Sequence, residues 1–344
     1  MDSCCKRENN NGELMADYKT IRGYKIKQTV SDVSPVYAGQ AWFETTEAVL
    51  KVRTYGAGAW SSGGDLNGGR YNMQVGGAQT SAFATGGEST DGNTVGTSEE
   101  YNGTAWTEGN DINTDRNSGG GFGASNTAGA IAGGTPNYVA FTEEYNGASW
   151  AESGDLTNGR VTGGGQGVGT QTAGALFSGQ DGVNNDVIAE EYNGTAWSNG
   201  GTQDPWNSNY MTAGTQTAAL IGFGNIGAGT GTKTNESLEY NGTSFSAGGD
   251  GNRAKKSLGG AGVQTLALAI GGRSEPDVFE DETEEYNGTS WSVAAVISES
   301  IDRNSGAGAS GLACLHMGGV VDANVGIVTT QEWNIAEATQ DVTV

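Results

Sequence analysis

A single histidine and three cysteines are all that this 344-residue chain offers for nucleophilic or soft-metal chemistry. His316 sits between Leu315 and Met317 in an apolar run, the setting of a buried structural imidazole. Any Ser-His-Asp or Cys-His arrangement would have to recruit that one residue. A copper site built on imidazoles needs more than one, and Asp-Gly pairs such as Asp91-Gly92 and Asp181-Gly182 lack the ligand spacing of a calcium loop. Paired carboxylates, a common acid–base couple, occur at Glu99-Glu100, Glu143-Glu144, Glu190-Glu191 and Glu284-Glu285. They recur at a regular interval, which marks a repeated structural feature and not one dyad. Arginine recurs in the same way at Arg70, Arg116, Arg160, Arg253 and Arg303, with Asn209 at the corresponding place in another unit. One per unit reads as a structural strap. These residues predict no catalytic centre, no metal and no cofactor.

The interval itself is the stronger signal. Glu100-Tyr101-Asn102-Gly103-Thr104-Ala105-Trp106 is echoed at Tyr145 to Trp150, Tyr192 to Trp197, Tyr240 to Phe245 and Tyr286 to Trp291. Weaker copies are Tyr55-Gly56-Ala57-Gly58-Ala59-Trp60 and Glu332-Trp333-Asn334. The tyrosine position advances by 46, 44, 47, 48, 46 and 47 residues, with Trp333 in the last place. A period in that range means an array of small units, none of which buries its own core alone.

Each unit reads as four short strands. In residues 116–157 these are Gly119-Gly120-Gly121-Phe122-Gly123, then Ala128 to Ala132 ending in Gly133-Gly134, then Thr142 to Tyr145, then Ser149 to Glu152. Asn146-Gly147 between the last two is a hairpin signal, read as a type I′ turn with positive φ at both central residues. Small residues on the first two strands suit the crowded centre of a radial array, and the large aromatics belong between neighbouring sheets. No stretch sustains a 3.6-residue period, so helix is nearly absent.

An apolar strand, a Gly-Gly pair (Gly86-Gly87, Gly133-Gly134, Gly271-Gly272, Gly318-Gly319), then Tyr and Trp around a hairpin resembles the kelch repeat. The resemblance covers residues 70–344 and implies an all-β, kelch-like β-propeller with one four-stranded sheet per repeat. Six units are complete. Upstream, Gln40-Ala41-Trp42-Phe43 and Val49 to Arg53 read as strands before the Tyr55 to Trp60 hairpin, so seven blades are favoured. The alternative is a six-bladed ring with the N-terminal hairpins packed outside it. The division is an N-terminal arm over 1–38 and a propeller over 39–344.

Composition narrows the partners. Glycine supplies 60 residues without a G-X-Y period, which excludes collagen. Residues 1–53 carry eight basic and seven acidic side chains, whereas the remainder carries nine basic and 33 acidic, a net of −24. A ring that acidic repels nucleic acid and anionic lipid. No run reaches the length of a membrane span. No signal peptide is visible, so synthesis in a cytosol is expected, starting at Met1 or Met15. Cys4, Cys5 and Cys314 cannot form a disulfide framework and are expected to be reduced.

Where ligands bind follows from which loops vary. In an antiparallel blade the first-to-second and third-to-fourth turns share one face, and both are short and uniform here. The second-to-third loops and the crossovers share the other face and differ freely, which is where binding usually lives on a rigid frame, although relaxed drift gives the same pattern. Candidate binding residues on that face are Tyr138, Trp206, Tyr210, Asp277 and Phe279. In the arm, Lys19, Arg22, Lys25 and Lys27 are mixed with apolar residues and alternate strictly with them at the segment's end, as in an exposed or edge strand. Such an arm either lies on the propeller's acidic rim or attaches to another protein.

The Gly-Gln-x-Trp-Phe strand followed by tandem Glu-Glu-Tyr-Asn-Gly-Thr-x-Trp repeats resembles kelch-like proteins of marine bacteriophages over roughly residues 39–344. That resemblance implies a non-enzymatic virion structural protein, multi-copy and made in the host cytoplasm, in a tail fibre, tail tip or other surface appendage. Its arm would join other virion proteins and its variable loops would meet a host-surface glycan or protein. A capsid-decoration or collar protein is one alternative, and a glycan-active propeller enzyme is another.

Overall fold

The structure is a computed structural model that describes residues 6–8, 14–16, 27–29, 41–163, 167–182, 185–204, 207–226, 232–321 and 325–342. The expected arm boundary near residue 38 lies outside these residues, as do Lys19, Arg22 and Lys25. No helix occurs among the described residues. The chain falls into two compact units, Met1–Ala57 with Ile335–Val344, and Gly58–Asn334.

In the first unit, Lys27–Thr29 runs parallel to Ala41–Glu44, which pairs antiparallel with the start of strand Val49–Ser62. The Glu44 carboxylate holds the intervening turn by accepting from the Thr46 and Glu47 amides at 2.8 and 2.6 Å. Trp42 is fully buried on this sheet.

The second unit contains five four-stranded antiparallel sheets, or blades, and a sixth blade that is part of a six-stranded sheet. Their innermost strands are Gln74–Ala78, Gly120–Ser125, Gly167–Thr170, Met211–Thr215, Gly259–Val263 and Ser305–Ser310. Each packs on the next, and the last packs on the first. Glycine permits that approach: a Cβ on Gly121 would lie 2.5 Å from Val75 N, and one on Gly306 would lie 2.6 Å from Gly260 O. Further out, aromatic rings fill the wedge between blades, as in Phe83–Trp150 and Phe223–Trp291 at 5.9 and 5.1 Å between centroids.

The expected seventh blade does not form. Tyr55 to Trp60 is no hairpin; it belongs to one continuous strand, Val49–Ser62, whose end lies beside the start of strand Thr330–Val342. The sixth blade therefore takes three strands from one end of the chain and its outermost strand from the other. Without that strand, the 330–334 segment would leave an open edge of unpaired backbone groups. The aromatic pair of this blade is also assembled from both ends: Trp333 holds the tyrosine place and Trp60 the tryptophan place, 5.3 Å apart. The matching pairs Tyr101–Trp106 and Tyr286–Trp291 both stand at 5.0 Å. Trp60 Nε1 donates to Thr283 in the preceding blade at 2.9 Å, as Trp106 donates to Thr330 at 3.0 Å and Trp197 to Thr142 at 2.8 Å.

The Asn-Gly turns also differ from the type I′ expectation. Only the glycine has positive φ, for example 89° at Gly103, and the loop spans four residues between Tyr101 and Trp106. Asn102 Oδ1 accepts from the amides of Thr104 and Ala105 at 2.9 and 3.0 Å, an Asx arrangement repeated at Asn146, Asn193, Asn241 and Asn287. The side chain does the work that a second left-handed residue would otherwise do.

Polar side chains staple each blade to its neighbour. Tyr101 donates to Glu332, Tyr192 to Glu144, Tyr240 to Glu191 and Tyr286 to Glu239, at 2.6 to 2.9 Å. Burial and these carboxylates push the Tyr101 and Tyr192 phenols up to about 12, so they stay donors. Gln79, Gln171, Gln216 and Gln264, in the first turn of their blades, each donate to two carbonyls of the preceding blade. That recurrence is visible in the sequence as an ordinary polar turn residue; only the neighbouring blade shows its use.

Candidate functional site

The recurrent arginines divide in two. Arg70 pairs with Glu99 at 2.6 Å, and Arg116 with Glu143 and Arg160 with Glu190, all buried. Each guanidinium also donates to a carbonyl at the start of the third strand, Thr97, Phe141 or Ile188, at 2.7 Å. The far oxygen of Glu99 and of Glu143 accepts from the crossover asparagine, Asn67 or Asn113. These are straps, as expected. Arg253 and Arg303 are not, which corrects that reading. Lys255 takes the strap place in the fifth blade, 2.8 Å from Glu284, while Arg253 is 54 % exposed and pairs with Glu280 at 2.7 Å. In the fourth and sixth blades the strap pair is replaced by Asn207 with Leu238 and by Ile301 with Gln331, so both charges vanish together.

Arg303 and Asn209 belong to a different ring. Asn72 N donates to Arg303 O, Arg303 N to Ser257 O, Ser257 N to Asn209 O, Asn209 N to Thr162 O, Thr162 N to Ser118 O, and Ser118 N to Asn72 O. This closed circle of six bonds, 2.7 to 3.3 Å long, rims the central channel on the variable-loop face. Five of its members hold positive φ without being glycine, between 53° and 58°. The channel below has a volume of about 190 Å³ and is lined by glycine, alanine, valine and threonine around Phe122, with no titratable side chain among its lining residues.

Beside the rim, on the loop face of blades four to six, lies a charged network. Lys233 pairs with Glu275 and Asp277 at 3.0 and 2.8 Å. Lys256, Arg273 and Phe279 stand in one row across three short strands, directly opposite one another in register. Arg273 lies 4.6 Å over the Phe279 ring and 2.7 Å from Asp302, whose same oxygen is 3.6 Å from Arg303. Arg303 in turn lies 5.6 Å over the ring of Tyr71, whose hydroxyl donates to Glu88 at 3.0 Å. Burial, then the neighbouring Lys233 and Arg273, lowers the Lys256 ammonium from its ordinary range. Burial raises the Asp302 carboxyl against the pull of Arg273 and Arg303.

Of the residues singled out in the sequence, Asp277 and Phe279 lie in this network. Tyr138 is 40 % exposed on a separate loop, its ring against Gly182 of the third blade. Tyr210 is a correction: it is fully buried and donates to the Phe177 carbonyl, because the chain has already turned inward to begin its inner strand. Trp206 lies outside the described residues, and of Lys27 only the strand position is described. Lys256 and Arg273 carry a sequence signal in the scarcity of basic residues after residue 53, whereas Asp302, one acid among many, carries none.

His316 is the buried structural imidazole expected. Its Nδ1 is 3.2 Å from Asn304 Nδ2, and the Trp60 ring meets it edge-on. Burial pushes its pKa down to about 4. The unfolded chain gains this proton near pH 6.5 and the folded chain only near pH 4, so stability is lost as pH falls across that window, by up to about 3 kcal/mol. In denaturant titrations at pH 7 and pH 4.5, His316→Gln should lose less stability than the parent between the two; an identical loss would refute the assignment. Cys314 beside it is a free buried thiol whose pKa burial raises.

No protein-family model and no curated protein matches this sequence. The fold is similar to the solved structure of YjhT, with a TM-score of 0.65 over 81 % of this chain and 100 % of that one, at 10 % sequence identity. At that identity the likeness is one of fold, and with the closed ring of sheets it establishes the chain as an all-β propeller.

Proposed function

We propose that this chain is a non-enzymatic, kelch-like virion protein of a bacteriophage, carried in a tail fibre, tail tip or other surface appendage. The N-terminal arm attaches it to other virion proteins, and the variable-loop face meets a glycan or protein on the host surface. One observation carries this reading: the contrast between the two faces of the ring. The turn face repeats one Asx-capped loop five times. The loop face carries the exposed aromatics Tyr138 and Phe141 and the charged network of blades four to six. Tyr138 and Asp277 hold φ of 51° and 106°, conformations that a rigid frame maintains at binding loops.

The test is binding of the purified, fluorescently labelled protein to host cells. The double variant Tyr138→Ala, Phe141→Ala should lower cell binding by roughly tenfold, the loss of about 1.4 kcal/mol expected when aromatic anchors are truncated. Thr104→Ala with Thr289→Ala on the turn face should leave it unchanged. Labelling of intact particles for electron microscopy should place the loop face outward. Absence from particles would end the proposal.

A further inference from the structure

The nine basic residues after position 53 are unevenly used. Arg70, Arg116, Arg160 and Lys255 are held inside the blades, and Arg253 is taken by Glu280. The remaining four, Lys233, Lys256, Arg273 and Arg303, come together on one part of the loop face, in a ring of net −24. Lys256 and Arg273 are directly opposed across adjacent antiparallel strands, so their side chains share a face. Like charges in that relation repel and destabilise the pairing.

The neighbours only half relieve this. Asp302 engages Arg273 through one oxygen, and Glu275 and Asp277 are spent on Lys233. Among the described residues no carboxylate oxygen lies within 4.0 Å of the Lys256 ammonium, although the chain has 40 acidic residues. Two buried atoms of the same cluster also lack hydrogen-bond partners: Arg273 Nε, a donor, and Asp302 Oδ1, an acceptor on a residue only 1 % exposed. Burying such groups unpaired costs stability unless something else engages them.

We propose that Lys256, Arg273 and Asp302 form a subsite for a single oxyanion carried on an otherwise neutral saccharide. Lys256 Nζ and the Arg273 guanidinium receive the carboxylate or sulfate ester, and the buried Asp302, 2.7 Å from Arg273, fixes the orientation of that guanidinium. The acidic remainder of the ring selects against a polyanion, whose many charges it repels at long range, while one isolated charge is held by the local pair. This inference rests on the loop face being the binding surface, and it names the ligand class.

The full-length protein is titrated calorimetrically with four probes: a neutral oligosaccharide, the same backbone bearing one glucuronate, the same bearing one sulfate ester, and polygalacturonate. At least one monoacidic probe should bind roughly tenfold tighter than the neutral one, and the polymer should bind no better per residue than the neutral sugar. The glucuronate and sulfate arms identify which oxyanion is taken. Lys256→Gln should bring the acidic probe down to the neutral level. Arg273→Lys should weaken it by losing the planar fork while keeping the charge. Melting curves matching the parent confirm that both variants are folded. Equal affinity for neutral and acidic probes, or no effect of Lys256→Gln, overturns the inference even if host-cell binding persists. Loss of host-cell binding with intact probe discrimination would instead sink the virion reading.

Discussion

Gly58→Val should lower the melting temperature of the propeller by on the order of 10 °C. A Cβ at position 58 would fall 1.8 Å from Trp333 Cζ2 and 2.4 Å from Cε2. That indole is fully buried, its Nε1 donates to Gly311 O at 3.2 Å, and its ring packs on Trp60. It has nowhere to turn. Inserting methyl groups into a packed core usually costs about 1–3 kcal/mol. Here the displaced group is the largest side chain of the blade, so the cost approaches the roughly 3–5 kcal/mol of deleting a buried tryptophan outright. Trp333→Ala should therefore match it, and Ala59→Val, on an exposed neighbour, should change little. Thermal melts followed by tryptophan fluorescence decide the matter. If Gly58→Val melts with the parent, the two ends of the chain do not close the sixth blade.

Arg160→Asn should destabilise by about 3–5 kcal/mol, because it leaves the Glu190 carboxylate buried with its cation removed. Adding Glu190→Leu should return much of that loss. The double substitution installs the pair that the fourth blade already carries, Asn207 with Leu238. A buried ion pair is weak evidence of net stabilisation, but breaking one partner alone is expensive. The joint loss of both charges in the fourth and sixth blades is what that asymmetry predicts. A double-mutant cycle in urea measures it: coupling of at least about 1.5 kcal/mol between positions 160 and 190 is expected, and additivity would overturn the strap assignment.

The repeat was legible because every unit solves the same problem with the same local chemistry. Glycines, Asn-Gly and the Tyr–Trp pair sit at fixed offsets, and strands such as Thr142–Tyr145 fall where the pattern places them. The Arg–Glu straps were half legible. A recurrent arginine signals a structural role, but Arg253 and Arg303 stand two residues either side of Lys255 and Ile301, the positions that count, and only burial separates them. The candidate site was less legible still. Tyr210 looked like a loop aromatic from its neighbours, whereas the chain's inward turn buries it. Lys256, Arg273 and Asp302 are spread over 47 residues and two blades. No spacing rule links them.

The amino-acid order alone settled that each unit is a small antiparallel sheet, because strand pairing within a blade depends on residues within one period of each other. It could not settle how many units close the circle, since that depends on the curvature summed over all of them and on which distant segment covers the last open edge. The tertiary structure assigned that edge to residues 58–62 and made the circle six. It also brought lone charges from separate blades onto one face, which is a property of the closed ring and of no single repeat.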